Sequence, residues 1–176
     1  MRGMDAVRHV ALSTDELPPA MERMLRQAAG VLLLAAGEDR PQQDACYAHY
    51  LVGVPRGGGT PAGASLPWEL VHVSVRLSRS APEVPSLAAL SFPASRFERE
   101  MRDLLGIVPS GHPDPRPLVR HGFWPESYYP LRLDATAPEF SDDGRPFPFT
   151  EVEGEGVYEI PVGPVHAGVI EPGHFR

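Results

Sequence analysis

Trp68–Leu77, WELVHVSVRL, decides how the first half of the chain folds. Side chains of an extended strand alternate between two faces. Glu69, Val71, Val73, Val75 and Leu77 therefore share one face, and Trp68, Leu70, His72, Ser74 and Arg76 the other. The valine face is core-forming, so His72 is expected to point outward or toward a partner. Upstream, Cys46–Val54 (CYAHYLVGV) is rich in strand formers,. Between the two, Pro55–Pro61 (PRGGGTP) predicts a hairpin loop. Its glycines are not followed by Gly-Lys-Ser/Thr or a helix start, which a phosphate cradle requires. Val31–Ala35 predicts a short buried strand.

Further out lie two helices. Ser13–Glu16 offers N-cap chemistry, and Pro18-Pro19 fits only a first helical turn,. Met21, Met24, Leu25 and Ala28 follow at helical spacing, and Gly30 is expected to close that helix. Downstream, Pro85–Leu90 predicts a short turn or strand, and Pro93-Ala94-Ser95 the start of a second helix. Ser95 and Glu98 have the spacing of a capping box. Phe97, Met101, Leu104 and Leu105 share one face of this helix, and Gly106 is its expected C-terminal residue. The fold class is α+β: a two-layer mixed or antiparallel sheet covered by helices, with an extended proline-rich C-terminal segment.

Composition narrows the function classes. A net charge of −7 argues against nucleic acid,. Every basic residue is arginine, so there is no lysine nucleophile or Schiff base,. Cys46 is the one cysteine, which excludes an internal disulfide and a multi-cysteine metal or iron–sulfur site in this sequence,. A reduced, cytosolic setting is expected, and no apolar run is long enough for a signal peptide or a bilayer span.

Charge concentrates between Phe97 and Asp134. Arg96/Glu100, Glu98/Arg102 and Arg99/Asp103 stand at i,i+4, the spacing of intrahelical ion pairs,. The helix leads into Gly111-His112-Pro113-Asp114-Pro115-Arg116, followed by Phe123, Trp124, Tyr128 and Tyr129. His112 and Asp114 with His121 offer a loose metal set, hence an alternative as a small metal-dependent hydrolase, but without an H-x-x-x-H or H-E-x-x-H helix. His112 with Asp103 or Glu100 offers an acid–base pair without a recognisable nucleophile elbow. A polar network that fixes a docking surface suits the arginines and aromatics better.

Glu98-Arg99-Glu100-x-x-Asp103-Leu104-x-Gly106-Ile107 resembles a signature of the C subunit of respiratory complex I, the NADH:quinone oxidoreductase. Gly111-His112-Pro113-Asp114-x-Arg116 resembles its continuation, and Pro130-Leu131-Arg132-x-Asp134 the motif after that. Leu105, Pro117 and Leu133 stand where that family carries an aromatic residue, a second arginine and a lysine. Tyr158–Gly168 and Glu171–Arg176 are similar to the opening of the large subunit of membrane-bound nickel–iron hydrogenases of the formate hydrogenlyase type. Gly163, Pro164 and His166 resemble a loop that lines the quinone cavity in complex I.

The resemblance implies residues 1–134 as a domain like that complex I subunit, 135–153 as an acidic proline-rich linker and 154–176 as the beginning of a truncated large-subunit domain. It implies a non-catalytic docking domain of a membrane-associated NADH:quinone oxidoreductase or hydrogenase-type complex. Glu98, Arg99, Glu100, Asp103, Gly106, Gly111, His112, Pro113, Asp114, Arg116, Pro130, Leu131 and Arg132 would serve docking. No cofactor is expected in this chain; a nickel–iron centre or quinone, NADH and iron–sulfur clusters would belong to the full complex. The implied partners are the large catalytic domain and iron–sulfur subunits. Membrane contact would come only through partners, on the cytoplasmic side of the bacterial inner membrane.

Overall fold

The computed structural model describes residues 7–56, 67–140 and 153–158, and the backbone of 160–162 and 173–175. The chain divides into two compact units, Met1–Arg145 and Pro146–Arg176.

The larger unit is built on a four-stranded mixed sheet in the order β1-β4-β3-β2. Its strands are β1 (Arg8–Leu12), β2 (Val31–Arg40), β3 (Ala45–Pro55) and β4 (Trp68–Ser78). β3 pairs antiparallel with both β2 and β4, and β1 lies parallel to β4. The valine face behaves as its alternation predicts: Val71, Val73 and Val75 are fully buried, beside Tyr50 and Val52 of β3. The β3–β4 connection, residues 57–66, lies outside the described residues.

Two strand expectations change. β2 runs ten residues rather than five, and it is an edge strand. Its register shifts between Leu32 and Leu34, so Leu32 faces the core while Val31, Leu33 and Leu34 are exposed. A bulge of this kind breaks the two-residue alternation that pattern reading depends on. β1 has no counterpart among the expected strands, because its short sequence RHVAL begins with two polar residues.

Among the described residues, the helices pack on the valine face of the sheet. α1 (Leu17–Glu22) carries proline in its first turn and buries Leu17, Ala20 and Met21. Ser13 and Glu16 form the reciprocal capping box: the Ser13 N–H donates to Glu16 Oε2 at 2.8 Å, and the Glu16 N–H to Ser13 Oγ at 3.3 Å,. α1 runs into a π-helical turn, Arg23–Gln27. The left-handed residue that ends it is Ala29, not Gly30.

α2 (Phe92–Leu105) is flanked by two short parallel strands, β5 (Glu83–Pro85) and β6 (Val108–Ser110). Ala94, Met101 and Leu105 pack into the core. Gly37 of β2 lets the helix come close, since a Cβ there would meet Leu105 Cδ1 at 2.4 Å. The expected Ser95/Glu98 capping box is not formed. The helix starts earlier, Ser91 holds the cap position, and Ser95 and Glu98 are both buried. Gly106 ends the helix with φ +74°; its N–H donates to Arg102 O, the αL type of closure, and the Ile107 N–H donates to Met101 O,.

In the smaller unit, β7 (Ile160–Val162) pairs antiparallel with β8 (Gly173–Phe175). Gly163, Pro164 and His166 lie outside the described residues.

Candidate functional site

α2 is amphipathic in an unusual sense. One face is apolar and meets the sheet; another buries charge. Glu98 is fully buried, and Arg99 and Asp103 nearly so. A buried charge must be paired and hydrogen-bonded, and these residues find their partners in the following loop, not along the helix. The three i,i+4 pairs expected from spacing are absent among the described residues. Arg99 reaches Asp114, Arg102 its neighbour Asp103, and Arg96 lies over the Phe92 ring. Spacing identifies neighbours on an isolated helix; here a loop lies closer and offers better acceptors.

Arg99 holds that loop at three points. Its Nε donates to Arg116 O at 2.9 Å, Nη2 to Pro117 O at 2.8 Å and Nη1 to Asp114 Oδ2 at 2.9 Å. Arg102 Nη2 adds a bond to Arg116 O at 2.8 Å. Asp103 Oδ2 accepts three successive backbone N–H groups, from Leu118 at 2.6 Å, Val119 at 2.8 Å and Arg120 at 3.1 Å. Asp114 also receives both arms of Arg116, each at 2.8 Å. His112 Nδ1 accepts the Asp114 N–H at 2.9 Å, so its hydrogen sits on Nε2, which donates to Ser95 O at 3.2 Å,.

A second clip fastens residues 131–134. The last carbonyls of a helix have no partner within it. Here the Leu131 N–H donates to Leu104 O at 3.0 Å, and Arg132 Nε to Leu105 O at 2.8 Å. Asp39 of β2 accepts both arms of Arg79, at 2.7 and 3.0 Å, and the Leu133 N–H at 2.9 Å. Arg79 also bonds Asp134 at 2.6 Å. The Tyr129 ring packs on Gly106, where a Cβ would lie 2.8 Å from a ring carbon.

Electrostatics follow these contacts. Arg116, and then Arg99, hold Asp114 well below the ordinary carboxylate range. Arg79 lowers Asp39. Glu98 goes the other way: burial raises it, against bonds from Ser86 Oγ and the Leu87 N–H, both at 2.6 Å, and the nearby His112. A carboxyl with a raised native pKa holds its proton more tightly folded than unfolded. Stability tied to that proton is complete below the unfolded value, near 4.5, and is lost as pH rises through the raised native value. Glu98→Gln keeps the shape without titrating. Its melting temperature relative to wild type is therefore expected to increase between pH 4.5 and pH 8, measured by calorimetry.

All three sequence motifs thus meet around α2. Arg99 and Asp103 bind the loop, Gly111 turns it with φ +73°, and Pro113 is exposed on it. Leu131 and Arg132 close the helix end, directly after half-buried Pro130. Glu100 is exposed and lines a shallow groove with Phe97, Leu104 and Leu131. The rim beside it presents apolar side chains on fastened backbone: Leu131 is 56% exposed and Leu133 70%. The metal-dependent hydrolase alternative finds no support. Asp114 is engaged by two arginines, His112 by the loop backbone and Ser95, and His121 stacks on Phe123. Among the described residues no His, Cys, Asp or Glu group could hold a metal ion. Asp39 and Arg79 were missed; they are 40 residues apart, and no local pattern links them.

A one-sided mixed sheet with a charge-clamped loop and strap at its helix defines an α+β domain built around a fixed rim. The chain belongs to the family described as respiratory-chain NADH dehydrogenase, 30 Kd subunit, which it matches over residues 10–141. It is 33% identical to hydrogenase-4 component G of Escherichia coli (strain K12) over 171 residues, and 33% identical to formate hydrogenlyase subunit 5 of the same organism over 172. Each match covers 95% of this chain, which spans 29% of the relative's length. Shorter matches reach the C subunits of NADH-quinone oxidoreductases. The fold also resembles a chain of the membrane-bound sulfane sulfur reductase, an archaeal respiratory membrane complex, with TM-score 0.52 and 14% identity over 76% of this chain and 75% of that one.

Proposed function

We propose that this chain is a non-catalytic docking domain of a membrane-associated NADH:quinone oxidoreductase or hydrogenase-type electron-transfer complex, and that the α2 rim seats the large subunit. The observation that carries this reading is the exposure of Leu131 and Leu133 on backbone clipped to buried Asp39 and to the end of α2. Apolar side chains on pre-ordered backbone suit a protein interface, because little freedom remains to be lost on association. Membership of the 30 Kd family and the names of its relatives support a multi-subunit setting. On this reading the nickel–iron centre or quinone, the NADH and the iron–sulfur clusters belong to the partners. Among the described residues no helix is long and apolar enough to cross a membrane, and membrane contact is assigned to partner subunits.

The test is co-purification with the large subunit of a hydrogenase or a complex I-type enzyme. Leu131→Asp with Leu133→Asp is expected to weaken association at least tenfold, which corresponds to about 1.4 kcal/mol. The melting temperature should be nearly unchanged, since both side chains are exposed. Undiminished association of a folded double variant would remove the α2 rim from the interface.

A further inference from the structure

The face of the sheet turned away from the helices carries a row of three imidazoles and a carboxylate. His9 on β1 and His72 on β4 are register partners, with their Nδ1 atoms 2.9 Å apart. His72 Nε2 lies 3.1 Å from His49 Nδ1 on β3, and His49 Nε2 lies 2.9 Å from Glu38 Oε2 on β2. The row thus runs through all four strands, from one edge of the sheet to the other. Three inter-strand spacings of about 4.8 Å give it a span of roughly 14 Å.

We propose that His9, His72, His49 and Glu38 form a one-proton relay across the open face of the sheet. Only one polarity satisfies every contact. An ionised Glu38 can only accept, so His49 carries its hydrogen on Nε2 and accepts on Nδ1. His72 then donates from Nε2 and accepts on Nδ1, and His9 donates from Nδ1. The Nε2 lone pair of exposed His9 is left at the head of the row. A proton delivered there by hydronium, which leaves as water, displaces the Nδ1 proton of His9 to His72 Nδ1. The Nε2 proton of His72 passes to His49 Nδ1, which leaves His49 as an imidazolium against the ionised Glu38 Oε2. His9 and His72 end in their opposite tautomers, and one positive charge has crossed from β1 to β3 beside Glu38.

The surroundings limit the row to one extra proton. Ring centroids are 5.0 Å apart for His9 and His72 and 5.1 Å for His72 and His49, so two imidazolium charges would repel strongly,. Burial, then His49 and His9, hold His72 below the ordinary histidine range. Glu38 is kept ionised by Arg40, whose Nε donates to its other oxygen at 2.7 Å, so the added proton rests on the imidazoles beside it. Among the described residues, the other charged or titratable groups nearby are Tyr47, stacked on His49 under the Arg40 guanidinium, Arg76, bonded to Gln43 O, and Arg8, paired with Glu69. A single metal ion could not use the row, because His72 presents its two nitrogens to different neighbours.

The test is nitrogen-15 NMR of the histidine rings in the full chain. At pH 8 the expected tautomers are Nδ1–H for His9 and Nε2–H for His72 and His49. On acidification the first added proton should change the signals of all three rings together. His72→Gln should uncouple the row, so that the signals of His9 and His49 no longer change together. His9→Gln is a second variant at an exposed position; it should leave the His72–His49–Glu38 tautomers in place. An Nε2–H tautomer at His9 in the wild type, or ring signals that change independently of one another in the unsubstituted chain, would overturn the relay.

Discussion

Asp103→Ala is expected to lower the unfolding free energy by roughly 3 kcal/mol, the largest effect of any single substitution in the α2 network. The carboxylate is 2% exposed and accepts from four groups: the amides of Leu118, Val119 and Arg120, and the Arg102 guanidinium. Alanine leaves the three amides without their acceptor, takes one partner from Arg102, and opens a void at the helix surface. Water can reach part of the loop, where Leu118 and Val119 are partly exposed, which keeps the cost below the full sum of the lost bonds. For a chain of this size about 3 kcal/mol corresponds to a fall in melting temperature of about 10 °C. Asp103→Asn keeps an accepting oxygen and loses only the charge assistance, so its cost should be less than half. Thermal unfolding of the two variants side by side checks both values. Equal losses would mean that the packing of the side chain matters and the amide cradle does not.

Asp39→Ala is expected to cost nearly as much, again roughly 3 kcal/mol, because removing one partner of a buried ion pair strands the other. The Asp39 side chain is fully buried, and that of Arg79 is 17% exposed. The distinguishing consequence is local. Asp39 also holds the Leu133 N–H, and through Arg79 it holds Asp134. Its loss should free the 131–134 strap while β2–β4 stay paired. Limited proteolysis should then cut near Arg132 faster in Asp39→Ala than in Asp103→Ala. Cutting at Arg132 no faster than in wild type would show that the strap is held without Asp39.

Most of the scaffold was legible from pattern. The alternation of Trp68–Leu77, the β-rich Cys46–Val54 and the Gly106 stop each rest on a local rule that tertiary structure respected. Failures came where the deciding partner is distant. The bulge at Leu32–Leu34 hid the length of β2. S-x-x-E occurs at Ser13–Glu16 and at Ser95–Glu98; only the first is a cap, because the second faces the protein interior. The charges of α2 were visible, but their destination was not, since the acceptors are loop backbone atoms that no residue type announces. His72 was expected on the outer face and lies there, yet its neighbours His9 and His49 follow only from the register of three strands.

Hydrogen–deuterium exchange on the chain, free and mixed with the proposed large-subunit partner, tests the central claim most directly. The docking account predicts new protection across the exposed side of α2, around Glu100 and Leu104, and through 118–135. Protection confined to other surfaces, with exchange at the α2 rim unchanged on binding, would contradict it.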